Sequence, residues 1–316
     1  KTDSSGNIYL VGKIRGQFND HQSFGNYDGF IIKLNSQGDI VFSKVVGGNA
    51  YDTVNQLHLD NQQNLYLFGT TEGDTFSDNL HGGYNLFWMK LNNNYELIWT
   101  KQIGIPLLDE INAVIPVEVS NFAIVAKFFN LNNLINNIWL LKIDADGEKI
   151  WSNEEGQQHD LNVNDMLPDN SGNLYLTGSV KKQAELNRDF YFVKYDSNGT
   201  LVWDKNFGSD ANDEMTAIDF DGISSFYLTG FTEGNYKDSV NRGKKDFVYM
   251  KYTDDGTEES SYQFGTEEDD VLNSIIFRNS SELFLAGYTY GKYSNFNNYG
   301  GSDFILFKFG ENQILE

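Results

Sequence analysis

Short apolar runs separated by polar turns recur along the whole chain, and residues 212–264 show the pattern clearly. Four runs there, rich in β-branched and aromatic side chains and bounded by Gly, Asn, Asp or Ser, span residues 215–220, 226–230, 246–252 and 257–264. Runs of this length and composition predict β-strands. A sustained period of 3.6 residues, which would indicate a helix, is absent from the sequence. We therefore predict an all-β protein.

A lysine at the end of each predicted third strand marks a repeat. These lysines follow one another at intervals of 52 or 57 residues, at Lys33, Lys90, Lys142, Lys194, Lys251 and Lys308. A Gly lies 14 residues after each of the first five, and a Gly or Ala lies 22 residues beyond that. All the variation in length falls between predicted strands two and three, which indicates a surface loop. Periods of this size indicate a repeat architecture.

Four antiparallel strands repeated in this way predict a β-propeller, in which each repeat is one four-stranded blade. We expect a single domain, residues 1–316, with six visible repeats at approximately 1–47, 48–104, 105–156, 157–208, 209–265 and 266–316. The first repeat is expected to lack its inner strand and the last to be truncated. A seven-bladed propeller is the alternative if the chain is a fragment of a longer protein.

The pattern of strands and turns in each repeat closely resembles the repeat of one known family. The residues that carry the resemblance are DFYFVKYDSNGTLVW at 189–203, the pair Phe207-Gly208 after it and NLYLTG at 173–178 before it. They are similar to the SBBP repeat, a bacterial-type β-propeller repeat, and the similarity extends over essentially the whole chain. The resemblance implies blades, and by its name seven of them, but no single activity. It also implies a module of a secreted or cell-surface protein.

Charge and composition narrow the classes of partner. The chain of 316 residues carries a formal net charge of −22, has a pI of about 4.4 and contains no Cys. Such a charge repels nucleic acid and anionic membrane surfaces, so we expect neither as a partner. The lack of Cys excludes disulfides and thiolate metal sites. We expect an extracellular or cell-surface protein, with protein or glycan as its partner or with self-association in a larger assembly.

A carboxylate follows each repeat glycine by four or five residues, where the fourth strand crosses to the next inner strand. These acids are Asp52, Asp109, Asp160, Asp213 and Asp269, the last followed by Asp270. Hard cations such as Ca²⁺ prefer oxygen ligands of this kind, so the acids are candidate metal ligands. The alternative is that each Asp caps a turn by accepting backbone N–H groups. No cofactor other than Ca²⁺ is expected.

The long loops between strands two and three contain aromatic side chains that could stack on a sugar or anchor a protein. The candidates for ligand binding are Phe24, Phe76, Tyr236, Tyr293 and Phe296. The alternative is that these rings fold back and cover the blades. Two further candidates, Asn198 and Asn279, match the acceptor pattern for N-glycosylation and lie in predicted turns.

The sequence contains none of the common nucleophile, zinc-protease or phosphate-binding motifs, and its four His residues fall at different repeat positions. We therefore expect a protein that is not an enzyme and that acts as a binding or assembly module. A structural repeat unit of a filament or sheath is one alternative. A propeller enzyme with a cation at the mouth of its channel is another, and its site would have to break the repeat symmetry.

Overall fold

The computed structural model describes residues 1–18, 21–73, 83–104, 108–118, 121–156, 159–183, 185–279, 282–293, 300–310 and 313–315. Every regular element in these ranges is a β-strand. The chain forms two compact units, residues 1–154 and residues 155–316. No helix in the described ranges has the length and apolar character needed to cross a membrane.

The first unit contains three sheets, here called blades 1 to 3. Their strands are β1 (Ile8–Ile14), β2 (Gln17–Phe18), β3 (His21–Gln22), β4 (Asp28–Leu34), β5 (Ile40–Val46), β6 (Asp52–Leu59), β7 (Leu65–Thr71), β8 (Asn85–Leu91), β9 (Leu97–Gly104), β10 (Leu108–Val117), β11 (Asn121–Asn130), β12 (Ile135–Ile143) and β13 (Lys149–Glu155). Blade 1 has the strand order β1-β4-β5, blade 2 has β6-β7-β8-β9 and blade 3 has β10-β11-β12-β13. Strands β2 and β3 form a separate small hairpin.

The second unit contains three four-stranded sheets, blades 4 to 6. Their strands are β14 (His159–Pro168), β15 (Leu174–Lys182), β16 (Asp189–Tyr195), β17 (Leu201–Phe207), β18 (Asp213–Phe220), β19 (Ser225–Thr232), β20 (Asp246–Thr253), β21 (Glu258–Phe264), β22 (Asp270–Asn279), β23 (Glu282–Thr289), β24 (Asp303–Gly310) and β25 (Gln313–Leu315). In each blade the four strands pair in chain order.

Apolar layers between successive blades form the core of each unit. In the first unit, one cluster joins Tyr9 and Ile31 of blade 1 to residues of blade 2, and another joins blades 2 and 3. The second unit repeats this arrangement between blades 4 and 5 and between blades 5 and 6. Antiparallel four-stranded sheets that pack on their neighbours in this way are propeller blades, so the predicted β-propeller fold is confirmed. The total number of blades stays a prediction.

The repeat glycine of each second strand lies against the backbone of the first strand. A Cβ added to Gly69, Gly178 or Gly230 would come within 2.0 Å of a first-strand carbonyl oxygen, and Gly287 has the same surroundings. A register shift occurs beside each of these glycines, as between Val163 and Asp165 opposite Gly178. The carbonyl that approaches the glycine belongs to the residue two before the unpaired residue of the bulge, which is Asn162 in blade 4, so the bulge and the close approach occur side by side.

The predicted fourth-strand aromatics pack against the turn of the next blade. Phe42 stacks on Tyr95, with their ring centroids 3.8 Å apart. Trp99 lies against Gly147 so closely that a Cβ there would be 2.9 Å from its ring, and Trp203 has the same relation to Gly256. These glycines have positive φ, which closes the tight turn between the third and fourth strands.

The repeat lysines are part of the blade structure. The ammonium of Lys90 lies 4.7 Å from the centre of the Tyr66 ring, and Lys194 lies 5.1 Å from that of Tyr175. Each also meets an acid in a turn, as in the ion pair of 2.5 Å between Lys194 Nζ and Asp254 Oδ1. The lysine therefore recurs because it covers a second-strand ring with its charge, a cation–π contact.

Acids flank the repeat glycine where one blade crosses to the next, and we call each such place a corner. Three corners have one acid from a third strand and one from the following first strand; the pairs are Asp28 with Asp52, Asp189 with Asp213 and Asp246 with Asp270. The first-strand Asp also donates its backbone N–H to the carbonyl of the residue before the third-strand acid, over 2.8 Å from Asp52 to Tyr27. This backbone hydrogen bond thus joins the first strand of one blade to the start of the third strand in the preceding blade.

We expect Gly178→Ala to destabilise the protein by about 1–3 kcal/mol, because the added methyl would lie 1.9 Å from the Asn162 carbonyl oxygen. Urea unfolding at equilibrium measures this change. The matched control is Ala126→Gly at the equivalent position of blade 3, which removes a methyl that is already accommodated. We expect it to cost about 0.5–1 kcal/mol or less. Equal and small effects of both substitutions would contradict the close approach.

Candidate functional site

The predicted loop aromatics do not form one exposed surface. Phe24 is 65% exposed, as a binding residue would need to be, whereas Tyr236 is only 4% exposed. Tyr293 is half-buried and packs edge-on against Phe247 and Phe307. Phe76 and Phe296 lie outside the described residues.

The expected exposure of Tyr236 is wrong because its ring closes the core between blades 4 and 5. It packs edge-on against Phe190, and its hydroxyl donates a hydrogen bond of 2.9 Å to Glu258 Oε2. The alternative, in which a loop ring folds back onto the blades, therefore describes Tyr236. The same description fits the packing of Tyr293.

Two of the candidate metal ligands, Asp52 and Asp213, lie at separate corners, where they accept backbone hydrogen bonds. Asp52 Oδ2 accepts the Gly48 N–H over 2.8 Å, and Asp213 Oδ2 accepts the Ser209 N–H over 2.6 Å. Within the described residues, no three His, Asp or Glu side chains are grouped as a metal site would require. The turn-capping alternative accounts for Oδ2 of Asp52 and Asp213, and binding of Ca²⁺ at these acids stays a prediction.

Two candidate acids lie one residue away from the corner. Leu161, which pairs with Val180, takes the place that Asp52 and Asp213 have in their blades, so Asp160 instead forms an ion pair of 3.2 Å with Arg188. In blade 6 the corner acid is the buried Asp270, and Asp269 precedes it. Asp109 lies in β10, and its side chain is outside the described part. The spacing in the sequence alone did not predict that Asp160 and Asp269 lie one residue away from the corner.

The two sequons differ in how much of them is described. Asn198 is exposed in the turn between β16 and β17, so an N-linked glycan would be accessible there. Asn279 ends β22, but the two serines that follow it lie outside the described residues. Glycosylation at either position stays a prediction.

A cavity of about 580 Å³ opens within the first unit, among residues of all three of its blades. Its lining includes Lys13 from β1, Tyr51 just before β6, Tyr84 just before β8 and Glu110 from β10. Thr53, Asn55 and Thr70 add polar groups to the wall. Lys13 and Tyr84 are end residues of two long loops, so the cavity lies on the predicted long-loop side of this unit.

Two tyrosines of the cavity lining, Tyr51 and Tyr84, form an aromatic wall together with Tyr27, which packs on Tyr51 beside the cavity, and the corners position all three. Tyr27, Tyr51 and Tyr84 immediately precede the corner residues Asp28, Asp52 and Asn85. The Tyr27 and Tyr51 ring centroids are 5.2 Å apart, and those of Tyr51 and Tyr84 are 5.7 Å apart in an edge-to-face arrangement. A backbone bridge between Tyr27 and Tyr51 holds the first pair together. All three rings are half-buried, so part of each stays accessible.

Charged groups surround this wall. The Lys13 ammonium donates a hydrogen bond to the Tyr51 hydroxyl, and this contact raises the pKa of Lys13. Lys127 Nζ pairs with Glu110 Oε1 at 3.0 Å. A hydrogen bond with the Glu72 carboxylate raises the pKa of Tyr84 to about 12. The cavity thus combines aromatic faces with both kinds of charge, a composition that suits a polar ligand with apolar faces.

Sequence reasoning missed this cavity because it concentrated on the middle of the loops. The position before the third-strand corner residue holds Tyr27 and Tyr84 in the first unit but Arg188 and Lys245 in the second. The residue after the second-strand glycine or alanine is a lysine in blades 1 and 3, Lys13 and Lys127, but Phe231 in blade 5. These departures from the repeat were the available signal, because a site in a repeat protein breaks the symmetry.

No protein-family model matches the sequence, and no curated protein matches it either. Solved structures do resemble it. A polysaccharide lyase, described as an ulvan lyase of a new family, matches 98% of this chain and 78% of its own with a TM-score of 0.57 and 11% identity. The β-propeller domain of the Trilobed protease from Pyrococcus furiosus matches 84% of this chain and 70% of its own with a TM-score of 0.45 and 11% identity. At identities this low, the likeness is one of fold alone.

This likeness corrects one expectation from the sequence, that the protein is not an enzyme. A chain with a similar fold over nearly the whole length is a polysaccharide lyase. The lack of a familiar catalytic motif in a propeller therefore does not exclude catalysis. The expectation rested mainly on that lack and on the scattered positions of the four His residues, and we withdraw it.

We expect the stability of the protein to depend on pH through Asp213. Burial raises the pKa of this carboxyl to about 6, and the nearby charge of Asp189 adds to the effect. A carboxyl raised above its unfolded value stabilises the fold most below about pH 4, and that stability is lost as pH rises through 6. Urea unfolding at pH 4 and at pH 7 measures the free energy of unfolding. Between these pH values we expect the Asp213→Asn variant to lose about 2–3 kcal/mol less of it than the unsubstituted protein loses.

The matched control for this experiment is Asp210→Asn, which changes an exposed acid three residues away. Its pH dependence should follow that of the unsubstituted protein. If Asp213→Asn retained the full slope as well, the buried carboxyl would not be the source of the effect.

Proposed function

We propose that the protein binds a polysaccharide at the cavity of the first unit and that it works at the cell surface or outside the cell. The observation that carries the proposal is the wall of Tyr27, Tyr51 and Tyr84 beside the Lys13 ammonium. The SBBP-like repeats favour the location, because they resemble modules of secreted and cell-surface proteins.

The chemistry of a sugar suits this wall. A pyranose ring has an apolar face that stacks on an aromatic ring and an edge of hydroxyl groups that need hydrogen bonds. Tyr51 and Tyr84 offer two ring surfaces at 87° to each other, which suits a chain that turns between successive sugar units. Thr53, Asn55 and Thr70 lie around them and can bind hydroxyl groups. The polysaccharide lyase of similar fold makes polysaccharides the first ligands to test.

A second candidate function is cleavage of the bound polysaccharide. The observation that favours it is the hydrogen bond between Lys13 and Tyr51 inside the cavity. A tyrosine hydroxyl can exchange a proton with a bound substrate, and the neighbouring Lys13 ammonium can stabilise negative charge that develops there. The measurement is the appearance of new reducing ends when each polysaccharide that binds is incubated with the protein.

We expect Tyr51→Leu to weaken binding of the best polysaccharide about three- to tenfold, because it removes the ring that contacts both other tyrosines. A glycan array identifies the ligand, and titration calorimetry then measures the dissociation constants. Tyr51→Phe keeps the ring and should retain most of the affinity.

The matched control is Tyr262→Leu, which removes an exposed tyrosine of β21 in the second unit. It should bind like the unsubstituted protein. Failure of every polysaccharide to bind, or full affinity in Tyr51→Leu, would refute the proposed site.

A further inference from the structure

The acidic charge of the chain is unevenly divided. Residues 1–154 contain 10 Lys and Arg against 17 Asp and Glu, whereas residues 155–316 contain 13 against 28. The net charge is therefore −7 for the first unit and −15 for the second. The unit that contains the cavity repels an anion less, so the charges at the cavity itself decide what it attracts.

The carboxylates around the cavity already have partners. Glu110, the acid of the cavity lining, pairs with Lys127 at 3.0 Å. Glu72 is bound to the Tyr84 hydroxyl. Neither acid forms an ion pair with Lys13, so the positive charge of the lining is not neutralised by them.

Two cations remain over the aromatic wall. Lys13 Nζ lies 5.2 Å from the centre of the Tyr51 ring and 5.6 Å from that of Tyr27. The Arg15 guanidinium, which is outside the cavity lining, lies 5.8 Å from the centre of the Tyr27 ring. Both side chains are exposed, and neither is in a salt bridge with an acid of the described residues. Cations held over rings in this way keep their hydrogens available to a ligand.

An acidic sugar matches this combination of groups. Its ring can stack on a tyrosine while its carboxylate accepts charge-assisted hydrogen bonds from an ammonium or a guanidinium. A neutral sugar would leave both cations without an anion. The raised pKa of Lys13 keeps its ammonium charged at neutral pH.

We propose that the cavity of the first unit selects hexuronate polysaccharides, with Lys13 and Arg15 binding the sugar carboxylate and the three tyrosines binding the ring. This inference rests on the proposed function and specifies the class of ligand for the same site. Lys13 and Arg15 are the specificity-determining residues, and the tyrosines serve any sugar.

The test compares acidic oligosaccharides with neutral forms of the same chain. Tetrasaccharides of galacturonate, glucuronate and mannuronate are titrated into the protein of residues 1–316, each beside its methyl ester. We expect at least one acid to bind about tenfold or more tightly than its ester, and the difference to shrink as salt is raised from 50 to 500 mM. The salt dependence separates charge recognition from stacking.

Three variants assign the effect to Lys13. Lys13→Gln should weaken binding of the acid about tenfold and leave binding of the ester unchanged, whereas Lys13→Arg should retain the preference. Lys149→Gln, at an exposed lysine of β13 in the same unit, is the control for the loss of one charge. Thermal unfolding of each variant checks that the fold is intact.

The outcomes separate the two proposals. If esters or neutral glycans bind as tightly as the acids, the cavity binds polysaccharide but the hexuronate inference is overturned. The same conclusion follows if Lys13→Gln and Lys149→Gln behave alike. If no acidic or neutral polysaccharide binds at all, the proposed function itself fails.

Discussion

The corner between blades is the constraint on which the rest of the structure depends. A buried carboxylate there accepts the N–H of the turn that leads into its strand, as Asp213 does from Ser209. The carboxylates fit because the residue between them is a glycine; a Cβ at Gly208 would lie 2.3 Å from Asp213 Oδ2. Hydrogen bonds to a charged acceptor inside a folded protein are strong and directional. At the three corners with paired acids, they hold the start of the new blade and the residue that precedes it.

The cavity in the first unit follows from the same corners. Tyr27 and Tyr51 are brought together because the carbonyl of Tyr27 accepts the N–H of Asp52 over 2.8 Å. In the second unit the equivalent bond joins Arg188 to Asp213, again over 2.8 Å. The same backbone bond therefore forms whether a tyrosine or an arginine precedes the acid, and the side chain at this position differs between blades. A binding site can arise there while the ladder of strands stays constant.

The sequence predicts this fold well because every blade repeats the same local rules. The strand pattern, the turn glycines and the constant spacing of 14 and 22 residues each reflect a contact inside one blade or between neighbours. The candidate sites were harder to predict, because they depend on contacts that the repeat spacing does not determine. Tyr236 was expected to be exposed, but Glu258 and Phe190 bury it. Asp160 lies one residue before the corner position. It follows Gly156 by four residues, whereas Asp52 and Asp213 follow their glycines by five.

The uneven distribution of tryptophans gives the two units different optical properties. Of the five Trp residues, Trp88, Trp99, Trp139 and Trp151 belong to the first unit and Trp203 to the second. Trp88 Nε1 donates a hydrogen bond of 2.9 Å to the Gly147 carbonyl, against which Trp99 also lies. Intrinsic fluorescence of this protein is therefore mainly a signal from residues 1–154. In a Trp203→Phe variant, tryptophan fluorescence would come from the first unit alone. Far-ultraviolet circular dichroism would report on both units.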